Sequence, residues 1–187
     1  KGYPPSVFAM LPVLVERSGR LRHGSITGLY AVLVEGDELM DPVADATRGA
    51  LDGHIALGRD LANRGHWPAI NVLESLSRVA VDVTDQTHQR ARAEVLRLLN
   101  SYQQVEDLLN IGAYASGSNG DFDLAIACKP AIDTLLQQDT REVTGKADFD
   151  RSRKQLLALA LHIEDVRKQL GRPAQSRPQG PGRSQGG

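Results

Sequence analysis

The chain has 187 residues, 41% of them hydrophobic and 24% charged, with 22 Lys and Arg against 23 Asp and Glu and a formal net charge of −1. That length supports one good core or two small ones, and so even a charge balance makes nucleic acid and anionic membrane poor default partners. Cys128 is the only cysteine, which excludes an internal disulfide framework, and no apolar run approaches the roughly 18 residues a bilayer span requires, so a cytoplasmic protein is expected.

The opening "KGYPPSVFAM" does not begin with Met and reads as mid-domain sequence, so a piece of a longer protein is expected. In "GSITGLYAVLVEGDELMDPVAD" an apolar, β-branched segment from Ser25 to Val34 suits a strand buried on both faces of a mostly parallel sheet. A polar turn follows, then a helix start at Asp41-Pro42, with Asp as the cap and Pro in the first helical position. Strand, turn and helix in that order suggest an α/β unit. Gly49 and Gly53 then divide the sequence into a short helix near 43–51 and a short buried segment near 54–59. "WPAINVLESLSRVAV" reads as a sheet edge or loop, because Pro68 bars a helix through Trp67 and disfavours a central strand.

From Asp85 the period changes. Ala91, Val95, Leu98, Leu99, Tyr102, Val105, Leu108 and Leu109 recur at helical spacing, and Gly112 follows as a stop, which predicts a long amphipathic helix. After a Gly/Ser/Asn loop a second helix is expected, capped by Asp121 and divided in two at Lys129-Pro130. "FDRSRKQLLALALHIEDVRKQL" predicts a last amphipathic helix. The expected organisation is therefore an α/β part over 1–84, an all-helical domain over 85–170 and a disordered Pro/Gly/Gln/Arg-rich tail over 171–187.

Several chemistries are excluded by spacing. "VTGKAD" at 143–148 has a Gly-Lys pair but neither the earlier Gly nor the hydroxyl residue after Lys that a phosphate-binding loop needs. "GSNGDFD" lacks the turn glycine and closing Glu of a calcium loop. His23, His54, His66, His88 and His162 form no metal-ligand spacing, and no Ser stands in a G-x-S-x-G context, so no metal site is expected. What is left is "GHWPAINVLESLSR" at 65–78. Its Trp67 is either packing or a flat platform for a base, and Arg78 is either a solvated charge or a group aimed at a phosphate.

The strings "KGYPPSVFAMLPVLVERSG", "GSITGLYAVLVEGDELMDPVAD", "LDGHIALGRDLANRGHWPAINVLESLSR" and "YQQVEDLLNIGAYASGSNGD" resemble, in order and over residues 1 to about 145, the C-terminal half of the flagellum-specific type III export ATPases. That family is similar to the catalytic subunits of F-type ATP synthases and to virulence type III secretion ATPases, and "EDLLNIGAY" looks more like its flagellar branch. The resemblance implies the C-terminal part of a RecA-like P-loop nucleotide-binding α/β domain followed by an all-α C-terminal domain. It implies a homohexameric ring with ATP sites between subunits, the phosphate-binding loop, catalytic glutamate and Mg²⁺ ligands all lying upstream of this sequence.

By the same resemblance Arg78, at the end of an "SxSR" segment, reaches across the subunit interface to the γ-phosphate of the neighbouring site. Trp67 stands where the family usually has Tyr in "HYPA" and, with Pro68, lies against the adenine; the 137–145 loop, including Val143, lines it from the other side. The Ala113 to Asp121 loop resembles the tip that meets a coiled-coil stalk protein. Implied partners are that stalk, a negative regulator, export-gate proteins, and export substrates with their chaperones. The implied place is the cytoplasmic face of the flagellar export apparatus, peripheral to the membrane at most. The expected function is ATP-driven unfolding and export of flagellar proteins; the alternatives are a non-catalytic helical interaction module or the ATPase of a virulence secretion system.

Overall fold

A computed structural model describes residues 3–33, 42–139 and 149–171. The chain resolves into two compact units, one formed by residues 1–90 with 136–147 and the other by 91–135 with 148–187.

In the first unit, helix α1 (Pro5–Val15) packs on α2 (Pro42–Ala50). Between them β1 (Gly19–Arg20) and β2 (Ser25–Ile26) form a two-residue antiparallel ladder. The long strand expected from Ser25 to Val34 is not formed: regular pairing ends at Ile26, and Leu29 and Leu33 are exposed. An apolar β-branched run favours a strand only where another strand pairs with it, and among the described residues β2 pairs with β1 alone. The proposed cap Asp41 lies outside the described residues, while α2 does begin at Pro42, where a missing N–H costs no helical bond.

A second antiparallel pair positions the residues of interest. β3 (Gly53–Leu57) pairs with β4 (Ile70–Ser77), Gly53 opposite Ser77 and Leu57 opposite Ile70. Helix α3 (Arg59–Asn63) connects them, and the short helix α4 (Ala80–Val83) follows β4. Among the described residues, Ala44, Ala56, Ala69, Thr47 and His66 form the small buried part of this unit.

The second unit is helical. Helix α5 (Gln86–Asn110) starts on Asp85, whose carboxylate accepts the His88 N–H at 2.9 Å. It ends as a Schellman motif: Gly112, at φ +68°, donates to Leu109 O, and Ala113 donates to Leu108 O. Ala91, Val95, Leu98 and Val105 of the expected stripe are buried, as the 3.6-residue period requires.

Helix α6 (Gly120–Leu136) departs from expectation twice. Its cap is Asn119, whose Oδ1 accepts the N–H groups of Asp121 and Phe122, while Asp121 lies in the first turn. It also runs unbroken through Pro130. A helical proline removes one backbone bond, but Leu124, Ala125, Cys128 and Ile132 are nearly inaccessible on either side of it, and their packing holds the helix together. Helix α7 (Phe149–Leu170) completes the core with Leu159 and Ile163. The expected tail beyond residue 171 lies outside the described residues.

Candidate nucleotide-facing site

The turn that presents Trp67 is built by the end of α3. Gly65 takes φ +73°, which an L side chain rarely adopts, and its N–H donates to Ala62 O. The His66 N–H donates to Leu61 O, so the helix ends in a second Schellman motif that reverses the chain. Trp67 follows, joined to Pro68 by a cis peptide bond, and the Gly58 N–H donates to Ala69 O at 2.9 Å to close the turn against β3. His66 and Ala69 are buried, whereas Trp67 between them is 56% exposed. A large aromatic left open on a turn anchored on both sides is a surface that a planar ligand can cover.

Two residues far along the sequence hold this turn. The Gln138 N–H donates to Trp67 O at 2.9 Å, and Gln137 Nε2 donates to His66 Nδ1 at 3.3 Å. Both belong to the segment expected to line the adenine; Val143, also placed there, lies outside the described residues.

Arg78 sits just beyond the other end of β4. Its N–H donates to Asp52 O at 2.8 Å, so the backbone is fixed at the mouth of the strand pair. Among the described residues its guanidinium meets only Arg48 O, at 3.4 Å, and the residue is exposed. A guanidinium remains charged at every relevant pH and offers a planar fork of donors, which is the chemistry that recognises phosphate. The structure does not bring Arg78 and Trp67 together, since they lie past opposite ends of β4.

The strand between them is irregular. His54 pairs with Leu76 and Ala56 with Asn71, so one residue on β3 faces four on β4. Asn71 Oδ1 accepts the N–H groups of Leu73 and Glu74, His54 Nε2 donates to Glu74 O, and Ser75 Oγ accepts the Ala56 N–H while donating to Asn71 O. The bulge thereby satisfies backbone groups that a regular ladder would have paired. Gly53 allows the closest approach: a Cβ there would fall inside 3.0 Å of Leu76 O, with Ser77 Cα at 3.1 Å. Asn71 is not marked by the sequence, and the contacts that Ser75, Gly53, His66 and Gln137 make here are not legible in it. A Gly facing the end of a strand was the one available signal; the His66–Gln137 contact spans 71 positions and leaves none.

The described residues contain no group of three or more His, Cys, Asp or Glu placed to hold a metal ion.

In the helical unit a charge cluster is built around Glu94. Arg97 grips Glu94 through two nitrogens, at 2.9 and 3.1 Å, and reaches Asp121 at 2.8 Å; Arg167 of α7 also pairs with Glu94. The Arg97 hydrogen bond is the main cause holding the Glu94 carboxyl below its ordinary range, against a smaller opposing effect of burial, with Arg167 assisting. The Ala113–Asp121 loop is tied by Asp123, whose carboxylate accepts the Gly117 N–H and the Tyr114 hydroxyl.

Residues 1–77 match the nucleotide-binding domain of the ATP synthase alpha/beta family, and residues 84–158 match the T3SS EscN ATPase C-terminal domain. The flagellum-specific ATP synthase of Bacillus subtilis is 51% identical over 142 residues, 76% of this chain and 32% of that protein. The type 3 secretion system ATPase of Pseudomonas syringae pv. syringae is 52% identical over 141 residues, 75% of this chain and 31% of that protein. The chain thus spans about a third of the length of these relatives. Among solved structures, the assembled ATPase EscN of enteropathogenic E. coli superposes with a TM-score of 0.79 at 41% identity over 86% of this chain and 38% of the other. EscN in complex with its central stalk EscO gives 0.73 at 39% identity, covering 86% and 37%. No helix among the described residues is long and apolar enough to cross a membrane. Two consecutive domain matches in one order, with about half of the aligned residues identical to relatives of both branches, make this chain the C-terminal part of a nucleotide-binding α/β domain joined to a helical domain, a member of the flagellar and type III secretion ATPase family.

Proposed function

We propose that the chain serves an ATPase that drives flagellar protein export, and that it supplies the interfacial half of an ATP site shared between neighbouring subunits of a homohexameric ring. The observation that carries this reading is Arg78: an exposed guanidinium on a backbone pinned to Asp52 O, at the end of a strand whose register is fixed by Gly53 and the Ser75 bulge. In this role Arg78 meets charge building on the γ-phosphate of the adjoining subunit's ATP, an interaction of about 10³–10⁵ in rate. Because the donor fork is held before the reaction starts, little reorganisation is needed at the transition state. Trp67 and Pro68, with the 137–145 segment that includes Val143, cover the adenine of the subunit's own nucleotide. The exposed Leu29, Leu33 and Leu57 fit a chain whose domain continues in residues outside this sequence.

Mg²⁺, when bound, would supply positive charge to the phosphates; its ligands belong to the part of the protein upstream of this sequence, and no residue described here is assigned to it. The helical residues 85–170 form the export-facing domain. The assembled state of EscN and its complex with a stalk protein support a ring around a coiled-coil stalk. A negative regulator, export-gate proteins and chaperoned substrates complete the partners at the cytoplasmic face of the apparatus. The near-equal identity to a type 3 secretion relative favours one second reading, in which the chemistry is the same and the cargo is a virulence protein.

The trans arrangement is tested by mixing. Full-length subunits carrying Arg78→Ala are combined with subunits disabled in the phosphate-binding loop, each inactive by itself. A trans finger restores turnover in mixed rings, because some interfaces then pair an intact loop with an intact arginine. No recovery in rings shown to be mixed would contradict it.

A further inference from the structure

The turn that carries Trp67 is closed by the first two residues of the 137–145 segment, and their bonds go to the turn itself. Gln137 and Gln138 leave α6 and reach back over 71 positions. One donates its side-chain amide to the buried His66 and the other its backbone N–H to the Trp67 carbonyl. One bond holds the carbonyl of Trp67 and the other the side chain of the residue before it, while Trp67 itself stays open to solvent.

We infer that Gln137, Gln138 and His66 form a clasp that fixes how the Trp67 ring is presented, making Gln137 and His66 positioning residues for the nucleotide base. This rests on Trp67 lying against adenine. A stacking platform gains affinity only to the extent that its ring is already ordered, because ordering it on binding costs conformational entropy. His66 is suited to the task. Burial leaves its ring little freedom, and accepting from Gln137 at Nδ1 sets the imidazole proton on Nε2. Gln137 is itself exposed, so its loss removes the bond without opening a core.

The experiment uses the full-length ATPase containing this chain, with any tryptophan other than Trp67 replaced by phenylalanine. Time-resolved anisotropy of Trp67, recorded without nucleotide, measures the nanosecond freedom of the ring. Gln137→Ala and His66→Leu should each enlarge that motion, and the double variant should do so no further than either alone. His66→Asn, which keeps an acceptor near the Nδ1 position, should restore the wild-type value. In steady state, Gln137→Ala should raise the KM for ATP about 3- to 10-fold, the worth of one hydrogen bond, with kcat unchanged.

Unchanged ring motion in Gln137→Ala would overturn the clasp. Freer motion with an unchanged KM would overturn its role in binding, while a raised KM in Trp67→Ala would show that the platform itself survives. An unchanged KM in Trp67→Ala would instead overturn the platform, and the clasp's role with it.

Discussion

Replacing Gly53 with alanine should part β3 from β4 beside Arg78 and slow ATP turnover without touching any residue that meets nucleotide. The new methyl would lie inside 3.0 Å of Leu76 O and 3.1 Å from Ser77 Cα, both backbone atoms that cannot swing aside as a flexible side chain could. Reaching ordinary contact beyond 3.4 Å requires the strands to separate by roughly 1 Å at the pair Gly53–Ser77. Arg78 is the next residue, anchored to Asp52 O just before Gly53, so the displacement passes directly into its backbone. Overpacking of this kind costs about 1–3 kcal/mol of stability, and a 1 Å misplacement of a group acting on the transition state costs on the order of 10² in rate. Gly49→Ala is the control: nothing lies within 4 Å of a Cβ there, and inside α2 alanine should stabilise by about 0.5–1 kcal/mol. The assays are urea unfolding and steady-state turnover of the full-length enzyme. Wild-type turnover and wild-type stability in Gly53→Ala would refute the argument that strand register places Arg78.

Other outcomes follow from single contacts. Ser75→Ala leaves the Ala56 N–H without its acceptor in the bulge and should lower stability by about 1–2 kcal/mol, read as a shift in the urea midpoint. Cys128 is fully buried, and burial pushes its thiol above the ordinary range, so a maleimide should label it only as fast as the helical core opens; rapid labelling of native protein would contradict the packing described. Glu94 has a lowered value in the folded state, so its contribution to stability is present above the unfolded carboxyl value of about 4.3 and is lost as pH falls through the lower folded value. Helical circular dichroism against urea from pH 6 down to 3 should therefore show a shallower acid slope in Glu94→Gln than in wild type; equal slopes would remove the Arg97–Glu94–Arg167 cluster from the account. Gly65→Ala forces a side chain into φ +73° and should cost about 1–2 kcal/mol, with Trp67 emission altered as the turn relaxes.

What could be read from sequence was what repeats locally. The stripe Ala91, Val95, Leu98 and Val105 declares α5 because a helix shows one face every 3.6 residues, and Gly112 marks its end because only glycine takes that conformation freely. The strand expected from Ser25 to Val34 fails for the converse reason: a strand needs a partner, and hydropathy does not reveal whether one exists. Pro130 misleads because propensity is outweighed where Cys128 and Ile132 bury deeply. Asp121 reads as a cap because Asp and Asn are equivalent there in sequence, and the backbone decides for Asn119. Trp67 and Arg78 were singled out by type and by resemblance, but what holds them was not visible. Gln137, Asn71 and Ser75 work through contacts set by the folded chain, and their residue types alone carry no such message.

The central claim is that Arg78 acts on the transferring phosphoryl group rather than on the fold. It is tested most directly by ATP turnover of the full-length enzyme, wild type against Arg78→Ala, at concentrations where rings assemble and with nucleotide binding measured in parallel. A fall of on the order of 10²-fold or more in kcat, with binding and assembly retained, is the predicted result. Unchanged turnover in an assembled, nucleotide-binding ring would make Arg78 a surface charge and leave the helical interaction module as the better description of this chain.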